Sequence, residues 1–131
     1  MSRAPERRPV ETRLHGDVPI VDAASAAAAI EPDATMLTSG FGSVGYPKAI
    51  PLALASSSRD LSLTLVSSGK VGDEIDVDLV GSGQVERRFS YQSSRIAREK
   101  TDARELAFSD RNASSIGDEV QYGGLVEPDV A

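Results

Sequence analysis

The sequence predicts an α/β domain with an open, mainly parallel β-sheet and flanking helices. Short apolar segments that resemble strands alternate with longer helix-forming segments, an order that is typical of parallel sheets. Two glycine-bearing loops, residues 40–47 and 67–72, each follow a predicted strand. Because parallel strands end at the same edge of a sheet, both loops should lie at the edge where open α/β sheets bind ligands.

The first half of the chain alternates between helix and strand. Asp22 is a suitable N-cap for an alanine-rich segment, and Pro32 ends that segment. Pro47 suits the first turn of a second helix. The strands are short apolar runs, and the second run fills with apolar residues as a buried strand does. The predicted elements are a helix over 21–30, a strand over 35–38, a helix over 47–57 and a strand over 61–66.

The second half continues the alternation after one ambiguous segment, residues 73–80. Acidic residues at its start favour a helix, whereas the alternation of Ile75, Val77 and Leu79 favours a strand. We favour the helix. Two glycines at 123–124 end the last helix. The remaining predicted elements are an extended segment over 84–91, a helix over 94–105, a short strand over 106–108, a helix over 114–122 and the start of a strand at 128–131.

Composition indicates a cytoplasmic, globular protein of 131 residues. Residues 1–19 are charged, contain three prolines and lack periodicity, so we expect a mobile charged arm before a domain over 20–131. The basic N-terminus has no apolar core behind it, which argues against a secretory signal. No apolar run approaches the roughly 20 residues that cross a bilayer, so we expect no membrane partner.

The net charge of −6 and the absence of cysteine exclude several classes of site. Without cysteine there is no disulfide, thiolate or cysteine–metal chemistry, and the single histidine, His15, is too little for a zinc site. Nucleic-acid binding needs a clustered basic face. Only the pair Arg87 and Arg88 and the pair Arg95 and Arg98 suggest one, so we expect no nucleic-acid partner.

The loop over residues 40–47 is the most informative segment. Gly40, Gly42 and Gly45 lie between a predicted strand and a predicted helix. Glycine permits positive φ and close approach to the main chain, and successive amides in such a turn, followed by a helix start, can bind an anion. The loop is therefore a candidate site for a carboxylate, a thioester oxygen or a phosphate. The structural alternative is a tight strand-to-helix turn.

The spacing Gly40-x-Gly42-x-x-Gly45 also matches the dinucleotide-binding fingerprint. Two features argue against that interpretation. In the dinucleotide fold the helix is already under way at the third glycine, whereas Pro47 places the helix start after the glycines. The expected acidic residue is also missing from the end of the second strand, since Asp60 precedes that strand. A non-enzymatic domain that binds an anionic metabolite or dinucleotide through this loop remains the alternative function.

Longer segments resemble a known family. Residues 40–54, with Gly45-Tyr46-Pro47-Lys48 as their most specific part, resemble the N-terminal domain of the acetyl-CoA hydrolase/transferase family. These are class I CoA-transferases such as succinyl-CoA:acetate and 4-hydroxybutyrate CoA-transferases. The resemblance covers about residues 21–131, and further similar segments follow in the same order at 72–76, 88–93, 121–123 and 128–131.

The resemblance implies a function in acetate metabolism, namely CoA transfer between carboxylic acids or acyl-CoA hydrolysis. In that family a glutamate attacks the acyl-CoA, forms an acyl-glutamyl anhydride and then carries CoA as a glutamyl thioester. That glutamate lies in the C-terminal half of a longer chain, and nothing in this sequence matches its surroundings. We therefore expect an N-terminal portion, truncated at its C-terminal end, without a catalytic residue of its own.

The same resemblance implies the substrates and partners. Acyl-CoA and short-chain carboxylates are the expected substrates, and the CoA thioester is a substrate rather than a permanently bound cofactor. A C-terminal CoA-transferase domain and a further copy of the chain, in a homo-oligomer, are the expected protein partners. The implied substrate- or CoA-binding residues are Gly40, Phe41, Gly42, Gly45, Tyr46, Pro47, Ser68, Tyr91, Gln92 and Ser93.

Several side chains have a structural alternative. Ser93 could cap the following helix, and Ser68 could be a simple turn residue. Lys48 could attract CoA phosphates, although exposed lysines are usually only solvated. Glu74 could be a nucleophile, but an acid in a first helical turn is favoured by the helix dipole alone. The aspartates around Glu74 lack the ligand spacing of a calcium loop, so we assign no metal site.

Overall fold

The computed structural model describes most of the chain beyond its N-terminal segment. The described residues are 20–40, 42, 44–67, 69, 71–89, 94–109, 112–123 and 127–131. The arm predicted over residues 1–19 lies outside them.

Four parallel strands form one sheet, which confirms the predicted fold class. The strands follow one another across the sheet in the order β1-β2-β3-β4. A row of apolar side chains, Leu37, Val66 and Phe89, crosses the first three strands near their carboxyl ends. The strands are β1 (Thr35–Thr38), β2 (Leu63–Ser67), β3 (Val85–Phe89) and β4 (Ala107–Ser109).

In the described part of the chain, five helical segments accompany the sheet at positions close to those predicted. The segment with conflicting signals is a helix, as favoured, and it is a π-helix, a form that the sequence did not predict. The helices are α1 (Ala23–Ala28), α2 (Ala49–Ala55), the π-helix (Glu74–Leu79), α3 (Arg95–Asp102) and α4 (Ala113–Tyr122).

Local side-chain chemistry explains where these helices begin and end. The Asp22 carboxylate accepts a hydrogen bond from the Ser25 amide at 2.7 Å, which caps α1 as predicted. The α3 cap is Ser94, whose hydroxyl accepts from the Ala97 amide at 3.0 Å, so the suggestion that Ser93 caps this helix was wrong. Gly123 ends α4 in the left-handed conformation, with φ of 68°.

Besides the start of α1, which is Ala23 rather than residue 21, two predicted starts were wrong by two residues. Helix α2 begins at Ala49 rather than at Pro47, and its N-cap residue, Lys48, makes no side-chain capping bond. Strand β2 begins at Leu63 rather than at Leu61. One reason is local, because Ser62 has a positive φ of 47°. The other lies further along the chain, because the Leu61 amide donates to the Gln84 side chain at 3.0 Å.

The main hydrophobic core lies on one face of the sheet. Crossovers between neighbouring parallel strands are right-handed, and with sequential strand order they place α2, the π-helix and α3 in a single layer, where α1 joins them. Leu54, Leu65 and Ile75 are fully buried in this core. The opposite face carries α4, whose Ile116 packs with Val66 near the carboxyl ends of the strands.

The segment 129–130 adds to the outer edge of β1. Val130 forms a parallel bridge with Met36, and its carbonyl accepts from the Leu37 amide at 2.8 Å. The Asp129 carboxylate accepts from the Thr35 amide, also at 2.8 Å. The strand start predicted at 128–131 is thus a single bridge in the structure. Among the helices of the described residues, none is long and apolar enough to cross a membrane.

Candidate functional site

The glycine loop leaves the carboxyl end of β1 and folds back on itself. Gly40, Gly42 and Gly45 have φ values of 117°, 58° and 69°, which confirms the predicted need for glycine. At Gly40 the need is also steric, because a Cβ there would lie 2.6 Å from the Cβ of Tyr46. The Ser39 hydroxyl donates to the Gly45 carbonyl at 3.0 Å and closes the loop.

A cavity of about 610 Å³ opens beside this loop. It lies between the end of β1, the glycine loop and α4, and most of its lining is apolar. Of the predicted site residues, Gly45, Tyr46 and Pro47 line it, while Gly40 packs behind Tyr46. The other lining residues were not predicted; they are Leu37, Thr38, Ser39, Ile116 and Ala131.

A smaller apolar cavity of about 260 Å³ adjoins the first. The two share Leu37, Thr38, Pro47 and Ala131 as lining residues. The smaller cavity extends from this shared wall between α1, α2 and the outer edge of β1. The carboxyl end of β1 therefore borders two neighbouring cavities, one beside the glycine loop and one within the helical layer.

The two glycine-bearing loops meet, as the parallel sheet predicted. The Tyr46 ring lies against Gly72, so closely that a Cβ on Gly72 would overlap the end of the ring. The Tyr46 hydroxyl donates a hydrogen bond to Glu74 Oε2 at 2.5 Å. Lys48 Nζ lies 3.9 Å from Glu74 Oε1 and 5.1 Å from the centroid of the Tyr46 ring.

This contact changes the acid–base properties of both side chains. Donation to Glu74, with smaller contributions from burial and negative charge, raises the pKa of Tyr46 to about 12. The same hydrogen bond lowers the pKa of Glu74, and Lys48 lowers it further. Glu74 is therefore an anion held by a phenol and an ammonium group, which fits a structural role better than that of a nucleophile.

A buried ion pair lies behind the second loop and was not predicted. Arg88 is fully buried, and its Nε and Nη2 donate to Asp76 Oδ1 at 3.1 and 2.9 Å. Its Nη1 donates to the Ser67 hydroxyl at 2.8 Å and to the Phe89 carbonyl at 2.6 Å. The suggested basic pair therefore does not exist as a surface feature, because only Arg87 of the two is exposed.

Several predicted site residues lie outside the described part of the chain. These are Phe41, Ser68, Tyr91, Gln92 and Ser93. Their assignment stays a prediction. Gly42 is described, and a Cβ added there would meet open space, so its conformation rather than its packing requires glycine.

Comparisons with known proteins agree with the predicted resemblance. No family model matches the chain. A succinyl-CoA:acetate CoA-transferase of Clostridium kluyveri is 29% identical over 116 residues, which are 86% of this chain and 22% of that protein. In fold, the chain is similar to the apoenzyme of an acyl-CoA transferase (YdiF) from Escherichia coli O157:H7, with a TM-score of 0.63 and 18% identity over 84% of this chain.

The chain spans about a fifth of the length of these relatives, 22% of the first and 23% of the second. The sequence relative confirms the resemblance to CoA-transferases, and the solved structure confirms the fold.

Proposed function

We propose that this chain, a relative of the CoA-transferases in sequence and fold, forms one wall of a site that moves CoA between carboxylic acids. The observation that carries the proposal is the cavity of about 610 Å³ beside the glycine loop. It lies at the carboxyl edge of a parallel sheet, the edge where open α/β sheets bind ligands. The loop that borders it is also the segment with the most specific resemblance.

The loop backbone supports the binding of an acyl oxygen. Gly40, Gly42 and Gly45 all have positive φ in this loop, and successive amides in such a turn can form a concave site for an anion. Amides that point to the position of a developing negative charge stabilise it strongly in acyl transfer. We propose that this loop provides such donors to the thioester oxygen, together with Phe41 and with the predicted residues at 68 and 91–93.

The nucleophile is proposed to come from another part of the catalytic unit. Glu74 is the acid that contacts the glycine loop, but its carboxylate accepts from Tyr46 and lies next to Lys48. A carboxylate with a lowered pKa and two partners is a weaker nucleophile than a free one. We therefore assign the glutamyl-CoA step to a C-terminal CoA-transferase domain and no catalytic residue to this chain.

The lining also suggests the substrate class. No charged side chain borders the cavity among the described residues, and its side-chain hydroxyls are those of Thr38, Ser39 and Tyr46, the last of which donates to Glu74. The adjoining cavity is apolar as well. Short acyl groups without a second charge fit this lining better than dicarboxylic ones, because a second carboxylate would lose its hydration without a cationic partner.

A chimeric enzyme tests the proposal. The matched segment of the Clostridium kluyveri CoA-transferase is replaced by residues 20–131 of this chain, and CoA exchange is measured between acyl-CoA donors and acetate. We expect exchange by the chimera, and a large loss on Tyr46→Ala. Gly117→Ala serves as the control, because a Cβ there meets open space on α4. A folded chimera that exchanges CoA with no acid would contradict the proposal.

Calorimetric titration of the chain itself distinguishes the proposed function from the alternative, a non-enzymatic domain that binds an anionic metabolite or dinucleotide. We expect binding of CoA or acetyl-CoA that weakens on Gly45→Val, since valine is strained at a φ of 69°. Tight NAD binding without a response to CoA would instead favour a dinucleotide-binding domain.

A further inference from the structure

We propose that the π-helix is a clamp that fixes the two glycine-bearing loops relative to one another. Asp76 anchors the helix to Arg88 inside the protein, and Glu74 anchors it to Tyr46 at the surface. Arg88 is then a positioning residue for a site that it does not touch.

The inner anchor ties the helix to the second loop. Asp76 Oδ1 receives two hydrogen bonds from Arg88, while Oδ2 accepts from the Val71 amide at 3.3 Å. Arg88 also donates to the Ser67 hydroxyl, which in turn donates to the Gly69 carbonyl at 2.8 Å. One buried guanidinium group thus holds both ends of the loop between β2 and the π-helix.

The inner anchor also reaches the helix that follows β3. The Asp76 carbonyl accepts from the Ser94 hydroxyl at 2.8 Å, and the same hydroxyl caps α3. Arg88 Nη1 donates to the Phe89 carbonyl, the last residue of β3. The segment between Phe89 and Ser94, where the predicted residues 91–93 lie, therefore starts and ends at this network.

The outer anchor ties the same helix to the first loop. Glu74 accepts from the Tyr46 hydroxyl, and the Tyr46 ring lies against Gly72. Tyr46 lines the proposed acyl cavity directly. A shift of the π-helix would therefore move the Tyr46 ring and change the shape of that cavity.

The spacing of the two acids explains how one helix can serve both anchors. Residues two apart on a helix do not face each other, so Glu74 and Asp76 can point to the surface and to the interior. A π-helix carries an extra residue in its turn and is found mostly as a single turn, often at functional sites. Here the turn places a buried carboxylate at Arg88 while it keeps Glu74 under Tyr46.

Two variants with a matched control test the clamp by NMR. In R88M/D76L both partners become apolar, a change that buried ion pairs often tolerate. E74L removes only the outer anchor, which is partly exposed, because leucine offers the Tyr46 hydroxyl no acceptor. The control is R87M, the same substitution on the exposed neighbour of Arg88. The readouts are the Tyr46 hydroxyl proton, assigned with Y46F, and the exchange protection of two amides, that of Val71, which donates to Asp76, and that of Ile75, which donates to the Gly72 carbonyl.

We expect the exchange protection of the Val71 amide to fall about tenfold in R88M/D76L, which is the effect of losing one net hydrogen bond. The signal of the Tyr46 hydroxyl proton should shift as well. E74L should abolish the Tyr46 signal and lower the protection of the Ile75 amide, and R87M should change neither. The clamp is refuted if R88M/D76L folds with an unchanged Tyr46 signal, or if E74L leaves the protection of the Ile75 amide intact.

The catalytic consequence of the clamp rests on the proposed function, but these readouts do not require activity. In the chimera, R88K should lower CoA exchange more than R87K does. An inactive wild-type chimera would contradict the proposed function alone, while the NMR result would still decide the clamp.

Discussion

Gly72→Ala gives a direct test of the contact between the two loops. Gly72 is buried, and an added Cβ would overlap Cζ and the hydroxyl oxygen of Tyr46. The ring must therefore leave its place or the backbone must move. If the ring leaves, the hydrogen bond from Tyr46 to Glu74 breaks as well. One methyl group should thus separate the two loops.

Two opposing effects determine the size of the change. Overpacking of a tightly packed position costs about 1–3 kcal/mol, whereas replacing glycine with alanine gains about 0.4–1 kcal/mol through the unfolded chain. We expect a net loss of about 1–2 kcal/mol in the free energy of unfolding, or several degrees in Tm. In Gly117→Ala the added Cβ meets open space in α4, so the same substitution should stabilise the protein by about 0.5–1 kcal/mol.

Urea unfolding of the wild type and the two variants measures both changes. Ultraviolet absorbance at high pH then reports the Tyr46 phenol, which should ionise at lower pH in Gly72→Ala than in the wild type. If Gly72→Ala is as stable as Gly117→Ala and Tyr46 titrates unchanged, the Tyr46 ring does not pack against Gly72 and the reasoning is refuted.

Other predictions concern the hydrogen bonds around the sheet. Gln84→Ala should cost about 2–3 kcal/mol in urea unfolding, because the Gln84 amide serves the backbone of Ser57, Arg59 and Leu61; an unchanged midpoint would contradict this. Ser94→Ala should cost about 1 kcal/mol through the lost cap, and Ser94→Gly clearly less, by the same assay. The raised pKa of Tyr46 means a stabilising contribution that is complete below pH 10.0 and is lost as the pH rises towards about 12. The lowered pKa of Glu74 means a contribution present above its ordinary value of 4.5 and lost as the pH falls through the lower folded value. Stability curves of the wild type and Y46F should therefore converge at both extremes, and parallel curves would refute the linkage.

The layout of the fold could be predicted because it depends on local signals. The cap at Asp22, the glycine at 123 and the apolar run of β2 each act within a few residues. The positive φ of the loop glycines follows from their residue type as well. Boundaries that depend on distant partners were missed, as at Leu61, whose amide is taken by Gln84.

The candidate site could be predicted only in part, because many of its contacts join residues that are far apart in the sequence. The sequence indicated that the two glycine-bearing loops share an edge, since parallel strands require it. It did not indicate that Ile116, far along the chain, lines the cavity. It also did not indicate that Arg88 pairs with Asp76. Adjacent residues of a strand lie on opposite faces of the sheet, and the sequence does not show which of the two arginines faces the interior.

The segment 129–130 has a consequence for how the molecule behaves at high concentration. Thr35 and Leu37 direct their amides away from β2, and Asp129 and Val130 accept from both. An open border of this kind could recruit strands from other molecules and seed fibrous aggregates. In this protein, segment 129–130 covers that edge of the sheet. The opposite edge is β4, which has only three residues. A chain shortened by residues 128–131 should therefore become a template for its own copies.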